Sequence, residues 1–231
     1  MSSTPNPHET PDMHAPRIFL IHATPLSIAP INAAFDRLWP QAERVNLLED
    51  SLPRDLKAAG GLTPALHQRF LALTDYAVSA GAEAILFTCS AFGEAIDACK
   101  QAVKIPVLKP NEAMIEEALA QGSRLALLAT FELALVSMQA EFRAVAQQAG
   151  KALELQLHAV EGAMQLLADG DETGHDRRIV DKAGALDGVE LICLAQFSMS
   201  GAADQVRQAT GLPVLTTPDS AVLKLRRQLQ A

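Results

Sequence analysis

A cysteine flanked by two hydroxyl residues offers the most specific chemistry in the sequence. Thr88-Cys89-Ser90 follows an apolar run that predicts a buried strand and precedes a helical pattern. At such a strand end the next helix presents its positive end and free N–H groups, which favour the thiolate form of a cysteine. The same amides and the two hydroxyls suit a bound carboxylate. We therefore predict that Cys89 is a catalytic acid, base or nucleophile.

The other two cysteines are predicted to be core residues. Cys99 falls inside the predicted helix 91–103, and Cys193 lies in the middle of a predicted strand. The three cysteines show no metal-ligand spacing, so no metal site is expected. An odd number of cysteines in a chain of 231 residues is typical of a reducing compartment, and we expect a cytoplasmic protein.

Polar and aromatic residues at three further strand ends are predicted to bind substrate. Parallel sheets bind ligands outside the carboxyl ends of their strands. With Thr88 and Ser90, the predicted contacts are His22, Thr24, Thr130, Phe131, Phe197 and Ser198, whereas Gln196, at the end of the last of these strands, is predicted to be catalytic together with Cys89. His22 titrates near neutrality and could serve as a second acid or base, and the alternative is a hydrogen-bonded structural histidine.

The elements that carry these residues repeat along the chain. Three short blocks recur at a constant shift of 107 residues, which indicates an internal duplication. The blocks are Arg17–Ile21, Gly81–Ile85 and Lys100–Leu108, with their copies Arg124–Leu128, Gly188–Ile192 and Arg207–Leu215. The same shift maps Cys89 onto Gln196.

Each half alternates short apolar strands with helices, which predicts an α/β fold with parallel sheets buried on both faces. Strands are predicted at 17–22, 44–48, 84–88, 105–108, 124–129, 153–157, 190–195 and 212–215. Helices are predicted at 27–39, 63–80, 91–103, 112–121, 131–148, 173–185, 199–210 and 219–229. We expect two pseudo-symmetric lobes, 17–110 and 111–217, with the active site in the cleft between them. The C-terminal helix, 218–231, could pack back on the first lobe.

Composition and charge exclude several classes of function. The formal net charge of −8 leaves no evident basic face for nucleic acid. No apolar run approaches the roughly 18 residues of a membrane span, so no membrane partner is expected. Residues 1–16, rich in Pro, Ser, Thr and His, are predicted to be a disordered tail and not a signal peptide. No G-x-G-x-x-G follows the first strand, which argues against dinucleotide binding.

A duplicated two-lobed chain with Thr-Cys-Ser at a strand end resembles the aspartate/glutamate/hydantoin racemase superfamily, which includes maleate isomerase and arylmalonate decarboxylase. The resemblance covers about Arg17 to Leu229 and rests on Phe87–Ser90, the paired Ile-Pro-Val-Leu and Leu-Pro-Val-Leu segments, and Leu127–Thr130. It implies a cofactor-free enzyme that moves a proton at the carbon next to a carboxylate or carbonyl of a small organic acid. It also implies a homodimer, and one cysteine in each lobe acting on opposite faces of the substrate.

The chain departs from that pattern in its second half. Where the resemblance implies Gly-Cys-Thr, the sequence has Ala195-Gln196-Phe197, and a glutamine cannot shuttle a proton near pH 7. After the first cysteine, Ser90-Ala91 replaces Asn-Thr. We expect Cys89 to protonate one face of an enediolate, as in decarboxylation, or to add to an activated double bond, with Gln196 as a hydrogen-bond donor. Racemisation would need another group, such as His22, on the opposite face.

Two other functions stay open on the sequence alone. A cysteine hydrolase or acyltransferase would use Cys89 as its nucleophile, although the glycines of a nucleophile elbow and an assignable His–Asp pair are lacking. A catalytically inactive small-molecule-binding or regulatory homologue would account for the missing second thiol.

Overall fold

The strands form two four-stranded parallel sheets of identical topology. The computed structural model describes residues 14–230. The strands are β1 (Arg17–His22), β2 (Glu43–Leu48), β3 (Ala84–Phe87), β4 (Val107–Leu108), β5 (Arg124–Ala129), β6 (Glu154–Ala159), β7 (Leu191–Leu194) and β8 (Val214–Thr216). The first sheet has the order β2-β1-β3-β4 and the second the order β6-β5-β7-β8.

Helices cover both faces of each sheet. They are α1 (Ile28–Leu38), α2 (Leu52–Ala59), α3 (Pro64–Ser79), α4 (Gly93–Ala102), α5 (Glu112–Gln121), α6 (Glu132–Gln148), α7 (Ala163–Ala168), α8 (Glu172–Gly184), α9 (Ala203–Thr210) and α10 (Thr217–Leu229). Short 3-10 helices occupy Pro25–Ser27, Ser90–Phe92 and Phe197–Ala202. The predicted α/β class with two sheet-based lobes is confirmed.

The strand register explains the blocks that repeat in the sequence. Ile18 pairs with Ala84 between β1 and β3, and Leu125 pairs with Leu191 between β5 and β7, at the same shift of 107 residues. Gly81 and Gly188 both have positive φ, 85° and 73°, in the turns that lead into β3 and β7. Because side chains rarely adopt this conformation, both copies keep glycine.

A glutamate follows each of these glycines and anchors the neighbouring strand. Glu83 accepts a hydrogen bond from the backbone N–H of Arg17 at 2.9 Å. In the second half, Glu190 accepts one from the backbone N–H of Arg124 at 3.2 Å. The repeated Glu therefore ties the first residue of β1 to the segment before β3, and the first residue of β5 to the segment before β7.

The helix that ends each half packs on the sheet of the other half. Met114, Ile115 and Ala118 of α5 are buried in the core of the second sheet, although α5 follows β4 of the first. Val222 and Leu225 of α10 are buried against the first sheet, although α10 follows β8 of the second. The two helices also contact each other. This exchange joins the two lobes through their hydrophobic cores.

Ion pairs at the edge of this junction add little energy. Lys224 of α10 lies 2.8 Å from Glu116 of α5, and Arg37 of α1 lies 2.9 Å from Asp219 of α10. Glu116 and Arg37 are about half exposed, and such surface pairs contribute about 0–1 kcal/mol each. Lys224 also lies 3.3 Å from the mostly buried carboxylate of Glu112, so this inner ion pair supplements the apolar burial that joins the lobes.

Several elements differ from the sequence-based expectation. Two short helices, α2 and α7, were not predicted, because segments of 8 and 6 residues show too little periodicity. The strand predicted at 105–108 shortens to Val107–Leu108, and the helix predicted at 91–103 begins as a 3-10 helix. Residues 1–13 of the predicted tail and residue 231 lie outside the described residues. No helix in the described part of the chain combines the length and apolarity needed to cross a bilayer.

The exchanged position of α10 leads to a stability prediction. Leu225→Ala should lower the free energy of unfolding by about 2–5 kcal/mol, because Leu225 is fully buried and the truncation leaves a cavity at the junction of the lobes. Urea denaturation measures the change. Val136→Ala is the control, since Val136 is 65% exposed and its truncation should change stability by no more than about 0.5 kcal/mol. Equal effects of the two substitutions would contradict the described packing of α10.

Candidate active site

The carboxyl ends of the strands of both sheets meet at one cavity of about 200 Å³. In the first lobe, the segments after β1, β3 and β4 line this cavity. In the second lobe, the segments after β5 and β7 and the helix α7 line it. Its lining residues are Thr24, Leu26, Ser27, Thr88, Cys89, Ser90, Pro110, Asn111, Phe131, Met164, Ala195, Gln196, Phe197 and Ser198. The cavity has the size of a small organic molecule, and polar groups occur on both of its sides.

The cavity wall is uncharged. Within residues 14–230, no Asp, Glu, Lys, Arg or His lines it. Hydroxyl, amide and thiol groups supply its polarity, and Leu26, Met164 and Phe197 supply part of its apolar surface. Phe131 and Leu26 are 46% and 55% exposed, which places them at the mouth. This wall offers neutral hydrogen-bonding groups and apolar contact.

Cys89 is the one ionisable side chain in this wall. It has extended backbone geometry, with φ −123° and ψ 121°, and stands directly before the 3-10 helix Ser90–Phe92. Burial raises the pKa of the Cys89 thiol, and a hydrogen bond with the backbone of Ala91 lowers it in part. The expectation of a thiolate is therefore not met, because desolvation outweighs the amide contribution. Near pH 7 Cys89 is therefore a neutral thiol, able to donate a proton.

Cys99 and Cys193 occupy the core, as predicted. Both side chains are fully buried, Cys99 in α4 and Cys193 in β7. Burial raises the pKa of each thiol. Neither lines the cavity.

Gln196 occupies the position in the second lobe that corresponds to Cys89. Its Oε1 accepts two hydrogen bonds from Thr130, from the backbone N–H at 2.6 Å and from the hydroxyl at 2.8 Å. Two donors at one atom identify it as the amide oxygen. The amide nitrogen therefore points away from Thr130, and among the described residues it donates to no acceptor. It is available to a ligand in the cavity.

His22 lies behind the wall of the first lobe. It is fully buried, and its Nδ1 is 3.0 Å from the Ser27 hydroxyl and 2.9 Å from the Thr88 hydroxyl. Its Nε2 is 3.0 Å from Oδ1 of Asn46. Burial lowers the pKa of the His22 imidazole, partly offset by the Asn46 hydrogen bond, so the ring is neutral near pH 7.

Most of the predicted site residues come together in the cavity. Eight of them line it: Thr24, Thr88, Cys89, Ser90, Phe131, Gln196, Phe197 and Ser198. The other two predicted residues, His22 and Thr130, are buried one layer behind and bond to residues of the wall. Their position differs from the expectation that they touch substrate directly, because the side chains of His22 and Thr130 are already hydrogen-bonded to other residues of the protein.

Six lining residues were missed by sequence reasoning: Leu26, Ser27, Pro110, Asn111, Met164 and Ala195. Pro110 and Asn111 could have been found, since they follow β4 as the other segments follow their strands. Asn111 is only 3% exposed, and its Nδ2 lies 3.4 Å from Oε1 of Glu141. Met164 belongs to the unpredicted helix α7, so no sequence signal pointed to it.

Comparison with solved structures reveals the same fold in several racemases. The chain superposes on the allantoin racemase from Klebsiella pneumoniae with a TM-score of 0.67 and 18% identity, covering 94% of this chain and 88% of that one. An aspartate racemase homologue from Pyrococcus horikoshii gives a TM-score of 0.68 at 18% identity, with 93% and 99% covered. Unliganded arylmalonate decarboxylase gives 0.60 at 15% identity, with 92% of each chain covered. At these identities the likeness shows the fold alone.

Sequence comparison identifies the family. No curated protein matches the chain. The model of the Asp/Glu/Hydantoin racemase family matches residues 50–225, which include both Cys89 and Gln196. The match spans well over half of the chain, and the two-lobed fold agrees with it. The chain therefore belongs to the Asp/Glu/hydantoin racemase family.

Proposed function

We propose that the protein is a cofactor-independent enzyme of the racemase and isomerase kind that uses Cys89 to transfer a proton at the carbon next to a carboxylate or carbonyl. One observation carries the proposal. Cys89 and Gln196, at corresponding strand ends of opposite lobes, line one cavity. The substrate carbon would lie between a proton donor and a hydrogen-bond donor.

The neutral thiol favours protonation as the step that Cys89 performs. Loss of CO2 from a malonic-type acid, or transfer of the α-proton to the small thiolate fraction of Cys89, leaves an electron pair that delocalises into the adjacent carboxyl as an enediolate or into the adjacent carbonyl as an enolate. The Cys89 S–H bond then breaks, its proton forms the new C–H bond, and the resulting thiolate recovers a proton from solvent. Because one face of the carbon meets the thiol, the product would be a single stereoisomer.

Neutral donors would stabilise the enediolate oxygens. The amide N–H groups of Gln196 are oriented by Thr130, and Ser90 and Ser198 add hydroxyls to the same wall. Donors held in place at a developing oxyanion are worth about 3 kcal/mol each in transition-state stabilisation. Gln196 would therefore lower the barrier without exchanging a proton.

The cavity gives less support to a cysteine hydrolase. Hydrolysis through Cys89 needs a base within hydrogen-bond reach of the thiol. In the described part of the chain no histidine lines the cavity, and the nearest polar contacts of His22 are Ser27, Thr88 and Asn46. The raised pKa of the Cys89 thiol also disfavours a nucleophilic resting state.

Isotope exchange tests the proposal. In D2O, a panel of α-substituted and malonic-type acids should include a compound that gains deuterium at its α-carbon or loses CO2, measured by NMR and mass spectrometry. Cys89→Ser should reduce that rate by at least about 10²-fold, because the hydroxyl is a far weaker acid. Cys99→Ala is the control and should keep the rate, since Cys99 lies outside the cavity. Tight binding without exchange across the panel would instead indicate a binding or regulatory protein.

A second thiol should change the stereochemical outcome. Gln196→Cys places a proton donor at the strand end opposite Cys89 and should produce both enantiomers where the natural chain produces one. Chiral chromatography of the deuterated product measures the ratio. Unchanged enantiomeric purity with activity retained would contradict the facing arrangement of positions 89 and 196.

The raised pKa of Cys89 predicts slow alkylation at neutral pH. Thiolate is the reactive form, so at pH 7 iodoacetamide should modify Cys89 more slowly than it modifies free cysteine. The rate should rise with pH to a midpoint above that of free cysteine. Mass spectrometry of the Cys89 peptide gives the rate, and the Cys89→Ser chain supplies the background. A midpoint below that of free cysteine would show that the thiol is activated.

A further inference from the structure

A second cavity of about 340 Å³, the side cavity, adjoins the cavity that contains Cys89. Unlike the Cys89 cavity, it has charged lining residues, which are Glu94, Asp97, Lys109 and Glu141. The two cavities share Ser90, Pro110 and Asn111, so these three residues form the partition between them. A polar side chain in this partition can connect a charge in the side cavity with a ligand beside Cys89.

The side chain of Asn111 is bound to the side cavity and not to its own helix. An asparagine directly before a helix usually accepts a hydrogen bond from a free N–H group of the first turn. Asn111 directly precedes α5, but its side chain makes no such bond. Its Nδ2 instead donates to Oε1 of Glu141 at 3.4 Å, and the residue is only 3% exposed.

The bond to Glu141 determines which amide atom of Asn111 remains for a ligand. A carboxylate can only accept, so the amide nitrogen must face it. Oδ1 diverges from Nδ2 across the planar amide, and no donor between residues 14 and 230 bonds to it. Because 3.4 Å is long for a hydrogen bond, the charge of the acceptor and not close contact holds the amide in this orientation.

The surroundings of Glu141 leave its carboxylate without a close cation. Lys109, which follows β4, lies 2.9 Å from Asp97 of α4 and is engaged there. Glu112 of α5 adds a further negative charge nearby. Within the described residues Glu141 forms no salt bridge. Burial, with Asp97 and Glu112, therefore raises the pKa of the Glu141 carboxyl, and the Asn111 hydrogen bond and Lys109 offset this in part.

A neutral group at position 141 would release the amide of Asn111. A protonated carboxyl, like a glutamine side chain, both donates and accepts, so it selects neither orientation of the amide. Asn111 can then turn an N–H group toward an anion in the Cys89 cavity. An ionised Glu141 opposes that rotation and leaves the anion opposite an acceptor oxygen.

We propose that Glu141 is a positioning residue whose carboxylate keeps the amide nitrogen of Asn111 turned away from the Cys89 cavity, and so weakens the binding of anionic groups beside Cys89. The charge of a residue outside the reaction site thereby regulates hydrogen bonding within it. As the pH falls through the titration of Glu141, the restraint on Asn111 is lost and anionic groups bind more tightly. The proposal rests on the proposed function only in taking the Cys89 cavity as the place of the reaction.

Two alkylating reagents of nearly equal size test the proposal. The Cys89 thiolate displaces iodide from both iodoacetate, an anion, and iodoacetamide, which is neutral. At a single pH the ratio of the two rates does not depend on the thiolate fraction, so it measures how well the cavity receives a carboxylate. Glu141→Gln should raise the ratio of iodoacetate to iodoacetamide about fivefold, because Asn111 becomes free to donate. Mass spectrometry of the Cys89 peptide gives both rates.

Two controls separate the hydrogen bond from the loss of a negative charge. Glu94→Gln neutralises an exposed carboxylate of the same side cavity that is not bonded to Asn111, and it should change the ratio by less than about twofold. In an Asn111→Ala chain, Glu141→Gln should also change the ratio by less than about twofold. A fivefold rise that persists without Asn111, equal effects at positions 94 and 141, or an unchanged ratio in Glu141→Gln would overturn the proposal.

NMR titration provides a second measurement on the natural chain. The carboxyl carbon of Glu141 and the side-chain amide signals of Asn111 should shift together, with one midpoint above the usual glutamate range. Asn111→Ala should raise the Glu141 midpoint further, because the lost bond favours the ionised form. Asn111 signals that stay constant while Glu141 titrates would contradict the coupling. Neither measurement uses a substrate, so its failure is distinct from a failure of isotope exchange at Cys89.

Discussion

The burial of α5 and α10 on each other's sheets is the constraint on which the site depends. Without that exchange, each sheet would expose an apolar face, and far fewer contacts, such as those of the 3-10 helix Phe197–Ala202 with α1 and Pro25–Ser27, would hold the strand ends of one lobe opposite those of the other. Hydrophobic burial is not directional, but close packing of a shared core leaves few relative positions for the two sheets. The position of Cys89 relative to Gln196 is therefore a property of helices that lie outside the cavity.

The two halves share the same sheet topology but carry different polar side chains at the cavity. The shift that relates the two halves maps His22, Ser27 and Thr88 onto Ala129, Ala134 and Ala195. Three alanines thus stand in the second lobe where the first lobe has its buried polar cluster. The polar side chains at the strand ends of the second lobe are instead Gln196 and Thr130, which are hydrogen-bonded to each other. Backbone geometry is symmetric because strand register and glycine turns are repeated. Side-chain polarity is asymmetric, so the two sides of the cavity offer different hydrogen-bonding groups.

The strand ends and the pairing of Cys89 with Gln196 could be predicted from the sequence, because short apolar strands and repeated blocks are local signals. The network around His22 could not, since it joins residues far apart in the chain through tertiary contacts. His22 and Thr88 are 66 residues apart, and the Asn46 that orients the ring lies on another strand. The direction in which the pKa of Cys89 is shifted also differs from the sequence-based expectation. Its position before a helix predicted a lowered thiol pKa. Burial, which only the folded chain defines, has the larger effect and raises the pKa of the Cys89 thiol.

The uncharged cavity wall affects how fast the protein can capture a ligand. The chain has a formal net charge of −8, and the cavity has no cation of its own to offset that field among the residues described. A negatively charged metabolite therefore meets long-range repulsion before it reaches any short-range donor. Dissolved ions shorten the range of that repulsion to about 8 Å at physiological ionic strength. Capture should thus accelerate as ionic strength rises, whereas enzymes that steer anions electrostatically slow down.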